Sequence, residues 1–157
     1  MKYIVLIFTL FFSACSVKNY EHTQTKIILI KSPKLKFADL GFVRNNDNSI
    51  ELELFAAGNS IQKITINHLI CVDDGCMSKD GFNKDYLNEA YPDDMLQNIL
   101  LGHIIYDGEG LVKTAGGFEQ RIKDAHVDIT YNVGGQTIEF KDKKNKIIFI
   151  IKDTEQR

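Results

Sequence analysis

Apolar and polar residues alternate along most of the chain, and this alternation stops over one stretch of about thirty residues in the middle. It is clearest at Ile50, Leu52 and Leu54, which are separated by Glu51 and Glu53. Residues two apart lie on the same face of a β-strand, so the spacing predicts strands with one buried face and one wet face. Turn residues separate these strands, which predicts an antiparallel meander.

The other strands of the first half have less regular patterns. Ile27–Ile30 is a short apolar run, and Leu35–Val43 is a second strand whose irregular alternation at Asp39–Gly41 predicts a bulge or bend. A later strand is predicted to carry four residues on its inward face, namely Ile64, Ile66, His68 and Ile70.

Helix fits the interrupted stretch better than strand. Phe82, Tyr86 and Ala90 stand four residues apart, which places them on one face of a helix. Pro92 is predicted at the first position of a second helix, and Gly102 is predicted to end it. The apolar stripe of this second helix consists of Met95, Leu96, Ile99 and Leu100. The strands are predicted to form a curved sheet, and this apolar stripe is predicted to pack against it.

Strands return in the last third of the chain. Val127–Phe140 is predicted to be a hairpin, because apolar residues alternate on both sides of the turn Gly134–Gly135. Ile147–Ile151 is continuously apolar, which predicts a central strand covered on both sides. Together these patterns predict an α+β fold that is mostly antiparallel β, in which a curved, half-barrel-like sheet covers a short mid-chain helical pair.

Length and composition agree with one such domain. The chain has 157 residues, of which 44% are hydrophobic, and this balance allows one buried core while excluding disorder, collagen and coiled coil. Lys and Arg total 19 against 21 Asp and Glu. The chain therefore lacks an overall basic field for phosphates, and no nucleic-acid partner is expected.

The first fourteen residues have the order of a secretory signal peptide. Lys2 precedes the apolar run Tyr3–Phe12, which has about half of the roughly 20 residues that a membrane-spanning helix needs. The quartet Phe12–Ser13–Ala14–Cys15 resembles the lipobox of bacterial lipoproteins, the alternative being an ordinary cleaved signal. The resemblance implies cleavage after Ala14 and a lipid on Cys15, through which the mature chain attaches to a membrane.

The residue after the cysteine bears on localisation. Under the sorting rule for bacterial lipoproteins, Ser16 in place of Asp implies transfer to the outer membrane, with the body facing the periplasm. Residues 15–24 lack a core pattern and are predicted to be the lipidated cysteine and a polar tether. The single β-rich domain is then expected over residues 25–157.

Cys71 and Cys76 are separated by four residues. Export would place them where paired thiols are often oxidised, so a disulfide is predicted, with two free thiols or a metal site as alternatives. A metal would need two further ligands, and His68, which is close in sequence, is predicted to be a core residue. No metal and no cofactor are predicted.

Catalytic residues are not signalled. Asp73, Asp74, Asp80 and Asp85 lack the ligand alternation and closing glutamate of an EF-hand, and turn and cap roles explain them. His and Ser residues form no set of nucleophile, base and orienting group that spacing alone could support. The chain is predicted not to be an enzyme.

The order of these features resembles the LolB family of outer-membrane lipoprotein receptors. The similarity extends over about Lys26–Lys152 and is carried best by two segments. Leu96–Gly102 is similar to a helix with a terminal glycine in that family, and Val127–Phe140 is similar to its "ITY…G" hairpin. The resemblance implies a curved sheet that wraps short helices and encloses an apolar cavity for acyl chains.

The resemblance also implies a function. By this resemblance, the chain is expected to be a lipid-anchored envelope protein that binds acyl chains or lipidated proteins in lipoprotein sorting to the outer membrane. The alternative is an envelope or surface lipoprotein with a solid core that binds protein partners. A cavity would favour the first and close packing the second. The residues predicted to line the cavity are Ile64, Ile66, Leu96, Ile99, Val127 and Ile129.

Overall fold

Two runs of hairpins, one before and one after the helical segment, join into one antiparallel sheet. The computed structural model describes residues 20–73 and 75–154. The strands of this part are β1 His22–Lys31, β2 Lys36–Asn45, β3 Ile50–Ala56, β4 Asn59–Ile66, β5 Ile70–Val72, β6 Gly75–Met77, β7 Leu111–Thr114, β8 Gly117–Lys123, β9 Asp128–Gly134, β10 Thr137–Asp142 and β11 Ile147–Asp153. Between β6 and β7 lie α1 Lys79–Tyr86, α2 Met95–Leu101 and a 3₁₀ turn at Tyr106–Gly108.

Strand β1 holds the two runs together, since it pairs with β2 on one side and with β11 on the other. The order across the sheet is β6-β5-β4-β3-β2-β1-β11-β10-β9-β8-β7. The last strand therefore lies at the centre of the sheet. Strands β6 and β7 form its two edges, so the sheet is open, and the chain crosses from one edge to the other through the helices.

One face of the sheet carries the core. Leu52 on β3, Ile28 on β1 and Phe149 on β11 are fully buried on this face, and Phe82 and Ile99 of the helices are fully buried with them. The predicted fold class is thereby confirmed: the fold is α+β and mostly antiparallel, with a curved, half-barrel-like open sheet that covers two short helices.

The first helix is shorter than its apolar spacing suggested. Ser78 caps it, because the Ser78 hydroxyl oxygen accepts a hydrogen bond from the amide of Gly81 at 3.3 Å. The backbone leaves helical geometry at Leu87, where φ is −125° and ψ is −107°. The helix therefore ends at Tyr86, and the prediction that Ala90 continues it was wrong.

The second helix begins later than predicted. Asp94 is its N-cap residue and Met95 its first residue, so Pro92 lies in the preceding loop and not at the first helical position. Its end was predicted correctly. Gly102 has a φ of +70°, and its amide reaches back toward the last helical turn, as is typical of a left-handed helix end.

The predicted hairpin of β9 and β10 is present, but its turn lies one residue later. Gly134 pairs with Thr137, so the turn residues are Gly135 and Gln136, with φ values of +57° and +64°. Gly134 stays in the strand. A glycine is needed at this position because a Cβ atom would lie 2.7 Å from the carbonyl oxygen of Gly116. Gly135 is needed for its left-handed backbone and Gly134 for space. The sequence pair alone does not distinguish these two roles.

The bulge predicted at Asp39–Gly41 is wrong. Strand β2 pairs with β1 in unbroken register, and the irregularity lies between β3 and β4 at Leu54–Phe55. Gly41 is required for space, since a Cβ atom there would lie 2.7 Å from Cδ1 of Ile28. A glycine that admits a neighbouring side chain disturbs the alternation of the sequence without disturbing the strand.

Strand β11 was predicted to be covered on both sides, and only its core face is. Ile147, Phe149 and Ile151 are buried, whereas Ile148 and Ile150 on the outer face are partly exposed. Both helices pack on the core face, so the outer side of this strand is covered only in part.

Candidate functional site

The interior between sheet and helices is the first candidate site. It contains the six residues predicted to line an acyl cavity, and each exposes at most 2% of its surface. They come from β4, from α2, from β9 and from the position directly before β9, and they belong to one continuous hydrophobic core with the side chains around them. These six residues are Ile64, Ile66, Leu96, Ile99, Val127 and Ile129.

Tyr131 fixes the C-terminal end of α2 to the sheet. Its hydroxyl group donates to the carbonyl oxygens of Asn98 at 3.2 Å and His103 at 2.9 Å. Burial raises the pKa of Tyr131, so the phenol stays protonated and keeps this role as a donor. Carbonyl groups at a helix end have no partner within the helix, and Tyr131 supplies one from the sheet.

Gln120 fixes the segment after α2. Its side chain is fully buried, donates to the carbonyl oxygens of Ile105 and Glu109 at 2.9 Å, and accepts from the Ile105 amide at 2.9 Å. These bonds join β8 to the loop that leads from α2 to β7. The side chain therefore compensates its own burial and holds backbone in place.

Asp142 on β10 likewise holds backbone segments in place. Its carboxylate accepts from the Tyr91 hydroxyl at 2.8 Å and from the amides of Asp128, Lys144 and Asn145 at 3.0 to 3.2 Å. Burial, followed by the bond to Asp142, raises the pKa of Tyr91. The hydrogen bonds of these buried polar groups go to the chain itself, which is the pattern of structural residues.

Helix α1 has weaker polar ties to the sheet. Lys34 Nζ lies 3.5 Å from the Asp85 carboxylate, but both side chains are more than half exposed, and such pairs contribute at most about 1 kcal/mol. Lys79 Nζ donates to Gln97 Oε1 on α2 at 2.9 Å. The burial of Phe82 is therefore the main contact that holds α1 on the sheet.

A cleft of about 210 Å³ opens where α2 ends, beside the β2–β3 and β4–β5 turns. Three of its lining residues are apolar and seven are polar, and we call the first group the floor and the second group the rim. The floor consists of Ile50, Ile66 and Leu101, and the rim consists of Asn46, Asp47, Asn48, Ser49, Asn67, Gln97 and His103. Of these residues only Ile66 was predicted to belong to a site. The sequence indicated a turn around Asn45–Asn48, but the approach of α2 to that turn has no local signal.

The first described residues lie next to this cleft. The amide of Glu21 donates to the carbonyl oxygen of Asn45 at 3.1 Å, directly before the turn that forms the rim. The Tyr20 hydroxyl donates to Glu51 at 2.8 Å. Burial and the bond to Glu51 raise the pKa of Tyr20 to about 12. Strand β1 begins at His22, three residues before the predicted start of the body.

Glu51 was predicted to face water and is 5% exposed. Arg44 covers it, because Arg44 Nη1 donates to Glu51 at 2.8 Å and to Glu53 at 2.7 Å. Tyr20 and Lys63 approach the same carboxylate, with Lys63 Nζ at 3.5 Å. This cluster on the outer face is formed by residues of neighbouring strands.

The two cysteines lie opposite each other in the β5–β6 hairpin. Cys71 pairs with Cys76 in the strand register, their Cα atoms are 3.9 Å apart, and their sulfur atoms are bonded. His68 was predicted to lie in the core and is instead exposed in the β4–β5 turn. The amide of Leu69 donates to Asn67 Oδ1 at 2.8 Å and closes that turn.

Cys15 and the rest of the signal sequence lie outside the described residues. Within 20–73 and 75–154, no three His, Cys, Asp or Glu side chains gather in a way that could hold a metal ion. The helices of this same part of the chain are too short or too polar to cross a bilayer. No protein family, curated protein or solved structure matches the chain.

Proposed function

We propose that the protein is a lipid-anchored component of the bacterial envelope that binds acyl chains or lipidated proteins between its sheet and its helices. The anchor is the lipid on Cys15. The body faces the periplasm at the outer membrane, and the binding step serves the sorting of lipoproteins. The protein performs this role without a cofactor and without catalysis.

One observation carries the proposal: among residues 20–73 and 75–154, only two α-helices, of eight and seven residues, cover the apolar face of an open sheet. The interior is lined by aliphatic and aromatic side chains. An acyl chain requires such a lining, and the buried side chains of Gln120, Tyr131 and Asp142 already have partners in the chain. Because neither sheet edge pairs with the other, α1, which has the weaker polar ties to the sheet, can shift without breaking the strand ladder.

A matched pair of variants tests the proposal. Ile99 on α2 and Ile147 on β11 are both fully buried isoleucines. Ile99→Ala is expected to weaken binding of a fluorescent fatty acid and to cost less than about 2 kcal/mol of stability, because its site accommodates a ligand. Ile147→Ala is expected to leave binding unchanged and to cost about 2–5 kcal/mol, because a void remains in a packed core.

The measurements are fluorescence titration and urea unfolding of the chain from Ser16 onward, compared with the unmutated body. No saturable binding by the unmutated body, together with a loss of about 2–5 kcal/mol in Ile99→Ala, would reject the acyl-binding function.

A second candidate is a lipoprotein that binds protein partners and has a solid core. It is favoured by apolar residues on the outer face of the sheet, where Ile27 is 50% exposed and Leu40 is 45% exposed. The two residues pair across β1 and β2. Ile27→Lys would weaken partner capture in this case, and it leaves fatty-acid binding unchanged if the first proposal holds.

A further inference from the structure

The anchor constrains how the body can sit on a membrane. Tyr20 is five Cα–Cα steps after Cys15, and at about 3.3–3.6 Å per step the chain between them can reach at most about 18 Å. Tyr20 is held against the sheet through Glu51, and the next residue is bonded to Asn45, which directly precedes the rim residue Asn46. A lipid on Cys15 would therefore keep the rim of the cleft close to the bilayer surface.

The opposite end of the sheet is far from this point. Strand β1 has ten residues and is thus about 33 Å long. Its last residue, Lys31, pairs with Ile148, so the β10–β11 turn lies at the end remote from the cleft. Lys143 and Lys144 are exposed there. The two ends of the sheet therefore differ in distance from the anchor by roughly the length of a strand.

The cleft has both apolar and polar lining residues, which match the apolar chain and the polar headgroup of a lipid. Its floor of Ile50, Ile66 and Leu101 is apolar and continuous with the core, and its rim is composed of amides, a hydroxyl, an imidazole and the carboxylate of Asp47. Its volume is below the about 300–1,000 Å³ of an ordinary ligand pocket, so it holds part of a ligand while the remainder stays outside.

The charged side chains near the cleft indicate which class of lipid headgroup it would bind. Asp47 provides one carboxylate at the rim, and Lys79, which does not line the cleft, provides one ammonium that donates to the rim residue Gln97 at 2.9 Å. Arg44, the residue before Asn45, is neutralised by Glu51 and Glu53 on the outer face. One charge of each sign complements a zwitterionic headgroup better than an anionic one.

We infer that this cleft faces the bilayer to which the chain is tethered and is the entrance through which an acyl chain of a zwitterionic lipid reaches the interior. The inference rests on the proposed lipid anchor and acyl-binding function, and adds the location, the direction and the headgroup class of the ligand. Leu101, at the C-terminal end of α2, lies where the ligand would pass from the rim to the core.

The orientation is tested with the full, lipidated chain in phosphatidylcholine vesicles whose headgroups carry an acceptor dye. A donor dye is placed at Asn48→Cys, on the rim, or at Lys143→Cys, at the remote end. Energy transfer is expected to be strong from Asn48 and weak from Lys143. Equal transfer, or stronger transfer from Lys143, would overturn the orientation while leaving the anchor intact.

The entrance is tested in the same vesicles with phosphatidylcholine that carries a photoreactive acyl chain. Leu101→Trp fills the cleft, and Leu40→Trp makes the same change on the exposed outer face. Cross-linking is expected to fall by about tenfold in Leu101→Trp and to stay unchanged in Leu40→Trp. Photoreactive phosphatidylglycerol is expected to cross-link about fivefold less, as one unfavourable charge contact predicts.

Each failure has a separate meaning. Cross-linking that survives Leu101→Trp overturns the entrance, even when the soluble body still binds fatty acid. Preference for phosphatidylglycerol overturns the zwitterionic headgroup. A chain that does not stay with the vesicles overturns the anchor and, with it, the orientation.

Discussion

Arg44 shows how a single side chain can change the burial of its neighbours. It binds Glu51 and Glu53, whose side chains are 7% and 14% exposed, and its guanidinium lies 4.9 Å from the centre of the Phe42 ring. The alternation of apolar and acidic residues predicted that both glutamates face water. They do lie on the outer face, but the side chain of a neighbouring strand covers them, and strand neighbours depend on register rather than on local sequence.

Arg44→Met is expected to lower the free energy of unfolding by about 2 kcal/mol at pH 7, the contribution of hydrogen bonds between charged groups. Two carboxylates would then remain without their shared donor. Arg121→Met is the control, because Arg121 is 77% exposed and binds only one acidic neighbour, Glu119. We expect a change below about 0.5 kcal/mol there. Urea unfolding of both variants decides it.

The same contact predicts a dependence on pH. Burial is the largest single influence on Glu53 and would raise its pKa, but the hydrogen bonds from Arg44 and Ser60 and the charges of Lys63 and Arg44 together outweigh it, so the net pKa lies below the usual 4.5. A carboxyl group with a lowered pKa in the folded state stabilises the fold above its unfolded pKa, and this contribution is lost as pH falls through the folded value. The destabilisation by Arg44→Met should therefore shrink between pH 7 and pH 3. An equal effect at both pH values would contradict it.

At the scale of elements, turns are where the sequence was informative but imprecise. The β9–β10 hairpin has both turn residues in the left-handed region, yet one of them is Gln136. Left-handed backbone costs an L-residue roughly 1–2 kcal/mol, more than the entropy that glycine adds to the unfolded chain.

Gln136→Gly is therefore expected to stabilise the protein by about 0.5–1 kcal/mol. Gln136 is exposed, and its contact with Asp153 uses the backbone carbonyl, which the substitution keeps. Thr137→Gly, one residue later in strand β10, is the control and should destabilise, because glycine weakens a strand. Thermal unfolding of the two variants should give shifts of opposite sign.

The β5–β6 hairpin provides a second test at this scale. The disulfide between Cys71 and Cys76 closes a short loop, so by chain entropy it should contribute at most about 2 kcal/mol. Alkylation of the non-reduced protein, followed by peptide mass spectrometry, should find both residues unmodified. Alkylation of both cysteines would show two free thiols and contradict the bond. Reduction should lower the urea midpoint without abolishing folding, since the hairpin is an edge of a larger sheet.

At the scale of the whole molecule, membrane attachment is expected to depend on Cys15 alone. Each buried methylene of a lipid contributes about 0.8 kcal/mol, and two or more acyl chains anchor a protein stably. Cys15→Ser should accumulate as unprocessed precursor that incorporates no labelled palmitate. Cys71→Ser is the control and should be labelled like the unmutated chain. Palmitate in the Cys15→Ser protein would contradict the lipobox assignment.

The architecture was predictable because it depends on periodicity. Alternation at Ile50, Leu52 and Leu54, the hairpin after Val127 and the apolar stripe of α2 each specify an element and its buried face. An antiparallel sheet with helices on one face follows from burying those surfaces together. These periodic patterns are local properties of the sequence, so they can be recognised without knowledge of the fold.

The tertiary structure decided which of these elements meet. The pairing of β1 with β11 joins residues more than a hundred positions apart, and it sets which edges stay open. The cleft likewise exists only because Leu101 and His103 approach the turn at Asn46–Ser49. Contacts between distant segments depend on register and on the path of the chain between elements, and neither leaves a periodic trace in the sequence.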